Sequence, residues 1–129
     1  EPGMDALRSF FERAVAFQIR DRGFMENVGK RAFADDPRFA AATEQIFASL
    51  DRIVAGAKEA GELRDDVQTA DLPVLMHAVC SGATFTETLG DDVWRRYLDI
   101  MLDGLRPGGA SKLSCDAPTI ADLTEHRPA

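Results

Sequence analysis

The chain has 129 residues, of which 45% are hydrophobic, and its formal net charge is −7 at pH 7. This length is sufficient for one domain with a buried core, and no apolar run approaches the roughly 20 residues that cross a bilayer. Carboxylates interrupt each cluster of arginines, so the charge pattern argues against nucleic acid as a direct partner of this chain.

The first half of the sequence predicts three helices. Apolar residues recur every three or four positions over Met4–Arg20, which is the period of one helix face. Gly23 ends or kinks this helix, and a short second helix is expected over Phe24–Phe33. The third helix begins at Pro37, where a missing N–H costs nothing, and carries an almost continuous apolar stripe. Gly61 is placed to end that helix in a left-handed conformation.

The second half predicts two more helices and a tail. One helix opens at Thr69 or Asp71 and runs to about residue 88, and the last begins at about residue 91. The sequence RPGG at 106–109 stops the last helix. Residues 108–129 are rich in Pro, Ser and Asp, so we expect a flexible tail after the domain formed by residues 1–107. Without a strand pattern, the chain is predicted to be an all-α antiparallel bundle of about five helices.

The fourth predicted helix is apolar on more than one side, and the fifth is similarly broad. A helix in a small monomer usually buries one stripe, so two stripes indicate contacts in two directions. We therefore expect a homodimer in which the last two helices of each chain form a four-helix bundle. The other interpretation is that both helices are central in a monomer. The predicted interface residues are Val79, Gly82, Ala83, Trp94, Leu98, Met101 and Leu102. A charge at Ala83 should then give a folded monomer.

Phenylalanine supplies a second hypothesis. Eight occur, mostly in the first three predicted helices, and core packing is the simplest role for each. The short second helix has glycines around it and would cover an apolar interior loosely, as a small-molecule pocket requires. The predicted lining of this pocket is Phe17, Phe24, Phe33, Phe47, Met76, His77 and Cys80.

No catalytic signature is found. The paired aspartates at 35–36, 65–66 and 91–92 lie at helix starts or connectors, where capping and solvation explain them. Ser49 and Ser81 have no neighbouring base in the sequence. A small helical enzyme is therefore the least favoured alternative, and the chain is predicted not to be an enzyme.

The cysteines and histidines predict neither a disulfide nor a metal site. Cys80 lies in an apolar helical run and Cys115 in a polar segment, which is a poor disulfide framework and favours a reducing cytoplasm. His77 and Cys80 are three residues apart on a helix, but two ligands do not make a metal site. We expect no metal and no cofactor.

Two stretches of the second half resemble a known family. GELRDDVQTADLP at 61–73 and WRRYLDIMLDGLRP at 94–107 are similar to sequences in the C-terminal regulatory domain of TetR-like bacterial transcriptional repressors. In many members a glycine that ends a long helix is followed by the pattern G-x-L-R-x-D-V. The last helix often carries W-x-R-Y-L-x-L-x-L-D-G-L-R, in which Ile100 here replaces the second leucine.

The resemblance implies a function and a partner domain. In such proteins an N-terminal helix-turn-helix domain binds operator DNA as a dimer, and we expect that domain to precede Glu1 in the parent protein. The C-terminal helices enclose a pocket for a small hydrophobic effector, and the last two form the dimer. The effector must favour the conformation that does not bind DNA. A dimerisation module with a filled core and no effector is the alternative.

Overall fold

A computed structural model describes residues 3–20 and 37–124, and all regular structure in these ranges is helical. The helices are α1 (Met4–Arg20), α2 (Pro37–Glu59), α3 (Asp71–Phe85), α4 (Trp94–Gly104) and α5 (Ile120–Thr124), with a 3₁₀ turn at Glu87–Leu89. The all-α prediction is confirmed. The predicted second helix lies outside the described residues.

Helix α2 ends at the glycine that the sequence indicated. Gly61 has a φ of 75°, in the left-handed region that favours glycine. Its N–H donates to the carbonyl of Lys58 over 3.0 Å, and the N–H of Glu62 donates to that of Ala57 over 2.9 Å. These two bonds form a Schellman motif, which satisfies carbonyls that the helix leaves without partners. The chain then turns into the connector of residues 61–70.

Helix α3 begins at Asp71, one of the two predicted starts, and has no side-chain cap. The Thr69 hydroxyl donates instead to the Asp51 carboxylate on α2. Asp71 accepts a hydrogen bond from the N–H of Gln68 over 2.8 Å, which holds the turn before the helix. Thr69 therefore joins the connector to α2, and the start of α3 is set by the Gln68–Asp71 turn.

The core lies around α1, which packs against α2, α3 and α4. Leu7, Phe11 and Val15 on α1 are fully buried, and they belong to one cluster with side chains from the other helices and the connector. Among these are Leu50, Leu63, Leu72 and Leu98. Burying a large aliphatic side chain contributes roughly 1.5–3 kcal/mol, so this cluster is the main source of stability.

Two exposed ion pairs join α1 to α4. Arg8 contacts the Asp99 carboxylate over 2.7 Å, and Glu12 contacts Arg95 over 2.8 Å. The basic partner is on α1 in one pair and on α4 in the other. Because residue 8 meets residue 99 while residue 12 meets residue 95, the two helices are antiparallel.

The segment after α4 follows a defined course to Thr124. Thr119 and Asp122 form a reciprocal cap at the start of α5: each backbone N–H donates to the other's side chain over 3.0 Å. Ala117, Pro118 and Ile120 are half-buried. The flexibility expected for residues 108–129 concerns dynamics and stays a prediction.

Candidate functional site

Helix α3 has two faces of different character. Its inner face carries Leu72, Val79 and Ala83, which are buried in the chain's own core. Its outer face carries Val74 and Phe85, which are exposed, with the exposed small residues Ala78 and Ser81 between them. The four outer positions lie within about 60° of one another around the helix.

Helix α4 presents exposed apolar side chains beside this face. Tyr97 and Ile100 are exposed, whereas Trp94, Leu98 and Leu102 are buried against the core. The two helices border the same cleft at one end, which both Val74 and Met101 line. We call the exposed set Val74, Ala78, Ser81, Phe85, Tyr97 and Ile100 the outer face.

The residues predicted for the dimer interface lie mostly inside the molecule. Val79, Ala83, Trp94, Leu98 and Leu102 are buried by the chain itself, and Gly82 and Met101 are half-buried. Helical spacing identified the two helices as broadly apolar but did not show which stripe meets α1. The face assignment therefore changes, and a second copy could reach the outer face instead. Ala83→Arg would place a charge in the core, so it is no longer expected to give a folded monomer.

Five of the seven predicted pocket residues are described. Cys80 is buried, which raises the pKa of its thiol, and Phe47 and Met76 are half-buried against the core. Phe17, near the end of α1, is 40% exposed. His77 is exposed, beside the outer face of α3 and away from the core. Phe24 and Phe33 lie outside the described residues.

A polar contact that the sequence pattern does not predict lies next to Cys80. The side-chain amide of Gln18 donates to the Cys80 carbonyl over 3.0 Å and approaches the Thr84 hydroxyl at 3.5 Å. This contact joins the end of α1 to the second half of α3. It brings an amide and a hydroxyl close to the backbone of Cys80.

The structure also explains the two stretches that carry the family resemblance, because they meet in space. The N–H of Arg64 donates to the Leu105 carbonyl over 2.9 Å, and its guanidinium reaches the carbonyls of Gly104 and Ser111. A cation is favoured there, since the last carbonyls of a helix carry partial negative charge. Arg64 thus fastens the connector to the end of α4 and to the tail.

Asp66 completes this arrangement, which we call the Arg64 clasp. Its carboxylate receives two hydrogen bonds from the guanidinium, at 2.7 and 3.0 Å. Those hydrogen bonds lower the pKa of Asp66 and raise that of Arg64. The fork of the guanidinium matches a carboxylate in a way that lysine cannot. The clasp therefore has a structural role, and its guanidinium is already engaged by protein groups.

An apolar cleft that borders the outer face lies beside the clasp. This cleft has a volume of about 400 Å³ and lies between the connector, the start of α3, the end of α4 and the tail. Val67, Val74, Leu75, Met101, Leu113 and Pro118 form its apolar walls. It shares no residue with the predicted effector pocket.

The described residues hold no group of three or more His, Cys, Asp or Glu placed to bind a metal ion. Within 3–20 and 37–124, no helix combines the length and apolar character needed to span a membrane.

Comparison with known families identifies the class of protein. The family model described as the C-terminal domain of SbtR-like transcriptional regulators matches residues 1–107. The match confirms the resemblance to the C-terminal domains of TetR-like transcriptional regulators. This chain belongs to the SbtR-like family of such domains. A search of curated proteins gave no match.

Proposed function

We propose that this chain is the dimerisation and effector-binding domain of a bacterial transcriptional repressor. It forms a homodimer through the outer face, and it binds a small hydrophobic effector between α1, α2 and α3. Operator DNA is bound by a helix-turn-helix domain that precedes it in the parent protein. The domain works in the cytoplasm without a cofactor and is not an enzyme.

The observation that carries this proposal is the outer face itself. Phe85 is 88% exposed and Ile100 is 56% exposed, so large apolar side chains of two adjacent helices face solvent. Exposed large apolar side chains on adjacent helices are typical of an interaction site. A stable interface buries about 800 Å² on each partner. One buried aromatic side chain supplies roughly 150–250 Å² of that area. Two helices from each of two copies would bury this surface in a four-helix bundle.

The effector site is supported by the surroundings of Cys80. Phe47 and Met76 are half-buried apolar side chains packed against the core, and Phe17 is partly exposed near the end of α1. The Gln18 amide and the Thr84 hydroxyl supply polar groups near the Cys80 carbonyl. Small-molecule sites combine these two features. Because α3 carries this neighbourhood on one side and the outer face on the other, a ligand could change how two copies sit together. A dimerisation module with a filled core remains the alternative.

Dimerisation is tested with a matched pair of substitutions. Ile100→Arg places a charge on the outer face, whereas Ile46→Arg places one on α2, where the isoleucine is equally exposed at 53%. We expect the unchanged chain and Ile46→Arg to sediment as dimers and Ile100→Arg to sediment as a folded monomer. A monomeric unchanged chain, or an Ile100→Arg variant that remains a dimer, would contradict the proposed interface.

Effector binding is tested by thermal denaturation with a chemically varied set of hydrophobic compounds. A ligand at about 100 times its Kd adds roughly 2.7 kcal/mol to the free energy of unfolding, which raises the melting temperature measurably. For any compound that does so, we expect Met76→Ala to weaken binding and Ile46→Ala to leave it unchanged. If no compound raises the melting temperature, the filled-core alternative is favoured.

A further inference from the structure

The outer face carries a projection at one end and a recess at the other. Phe85, at the end of α3, is 88% exposed and projects from the helix. The cleft of about 400 Å³ lies at the start of α3, where Val74 and Leu75 form one of its walls. Phe85 follows Val74 by eleven positions, which corresponds to about 16 Å along the helix and a rotation of three turns plus roughly 20°. Projection and recess therefore lie on the same side of α3.

The residues between them are small and symmetrically placed. Ala78 and Ser81 are both exposed and lie at equal distances from the midpoint of the segment from Val74 to Phe85. A two-fold axis through that midpoint, perpendicular to the helix, would bring position 85 of one copy opposite position 74 of the other. It would also bring Ala78 opposite Ser81. Small side chains at a crossing point allow two helix backbones to approach closely.

The chemistry of the cleft suits an aromatic ring. Its walls are mainly apolar, and the nearby Arg64 guanidinium is already bonded to Asp66 and to two carbonyls. The Asp71 carboxylate accepts from the N–H of Gln68. A buried aromatic side chain in a closely fitting recess is the typical dominant contact of an interface.

From this geometry we propose that α3 packs antiparallel against α3 of a second copy, so that Phe85 of each enters the cleft of the other. The inference rests on the proposed dimerisation and specifies its geometry. In a closed two-fold dimer the same surface must complement itself. A projection and a recess on one face meet this condition, because each copy's Phe85 faces the cleft of the other and two equivalent contacts form. Each cleft is incomplete without Phe85 of the partner subunit.

The tail takes part in this interface. Leu113 and Pro118 form one wall of the cleft, and Ser111 is held by Arg64. These three residues lie beyond residue 107, where the family match ends. The tail therefore contributes contact surface for the second copy that the matched region alone does not provide.

The experiment joins positions 74 and 85 between chains. Val74→Cys and Phe85→Cys are made separately in a Cys115→Ser background, because Cys115 is an exposed thiol while Cys80 is buried. The two variants are mixed, oxidised gently and analysed for covalent dimers. Mixing ensures that any disulfide between the introduced cysteines joins two chains. Both substituted side chains are exposed, so folding should be unaffected.

The expected result is efficient formation of the mixed covalent dimer. The control mixture contains Phe85→Cys and Tyr97→Cys. These two positions would be linked if α3 of one copy packed against α4 of the other copy, and not against its α3. Preferential linkage in the control mixture, linkage of Phe85→Cys to itself, or no linkage in a sedimenting dimer would overturn the inference. Each of those results leaves the proposed dimerisation intact. A monomer in sedimentation would instead contradict the proposed function as well.

Discussion

The two faces of α3 have similar compositions and opposite surroundings. On the inner face, Leu72, Val79 and Ala83 are enclosed by α1 and the rest of the core. On the outer face, Val74 and Phe85 have apolar side chains of comparable size but remain exposed. Composition alone therefore does not reveal which face of a helix closes the fold. The neighbouring elements decide this, and here they leave one apolar face exposed.

The largest effect is expected from two identical substitutions on opposite faces. Ala83 is 4% exposed, so Ala83→Arg buries an unpaired charge and overfills the core. We expect it to destabilise the fold by about 3–5 kcal/mol and to abolish a cooperative thermal transition. Ala78→Arg lies on the outer face and should leave the melting transition of the monomer nearly unchanged while preventing dimerisation.

Circular dichroism and sedimentation measure the two effects separately. Equal destabilisation by both variants would show that the outer face of α3 is also part of the chain's own core. A well-folded Ala83→Arg monomer would restore the interface assigned from helical spacing.

A smaller effect is expected at the Arg64 clasp, which anchors the tail beside the outer face. Arg64→Lys keeps the charge but loses the fork of donors that reaches Asp66 and the carbonyls of Gly104 and Ser111. We expect faster hydrogen exchange at the end of α4 and in the tail, with the inner face of α3 still protected. Uniform loss of protection would mean that the clasp supports the whole core.

The smallest effect concerns pH. The folded-state pKa of Asp66 is lowered by its hydrogen bonds from Arg64, so its contribution to stability is present above its unfolded pKa of about 3.9. That contribution is lost as the pH falls below this value through the lower folded pKa. Asp66→Asn should therefore have a lower melting temperature than the unchanged chain at pH 7. This difference in melting temperature should become smaller below about pH 4. A difference that stays constant with pH would show that the charge of Asp66 is unimportant.

Periodicity was a sound guide to the fold. The apolar spacing in the first helix predicted Met4–Arg20 with both ends correct, and Gly61 marked the end of α2. These features are local, because a helix period and a left-handed glycine are encoded within a few residues. The reciprocal cap formed by Thr119 and Asp122 was also visible in the sequence as T-I-A-D, a signal that the prediction of a flexible tail passed over.

The candidate sites were harder to predict because they depend on which elements become neighbours. Arg64 contacts Gly104 and Ser111 across 40 and 47 residues of sequence, and no local pattern records those contacts. The same reason explains why His77, predicted to line the pocket, is exposed: the packing of α1 determines which face of α3 is buried. The family resemblance did identify both stretches that form the clasp, residues 61–73 and 94–107. The structure shows that Arg64 of the first contacts Gly104 and Leu105 of the second.

The ion pairs between α1 and α4 limit how this domain can move. Shifting α4 by one turn along α1 would set Arg8 against Arg95 in one direction and Glu12 against Asp99 in the other, so either shift creates a contact between like charges. Each pair alone contributes little at the surface, yet the alternation of sign defines a single register. The alternation of charge therefore disfavours sliding of α4 along α1.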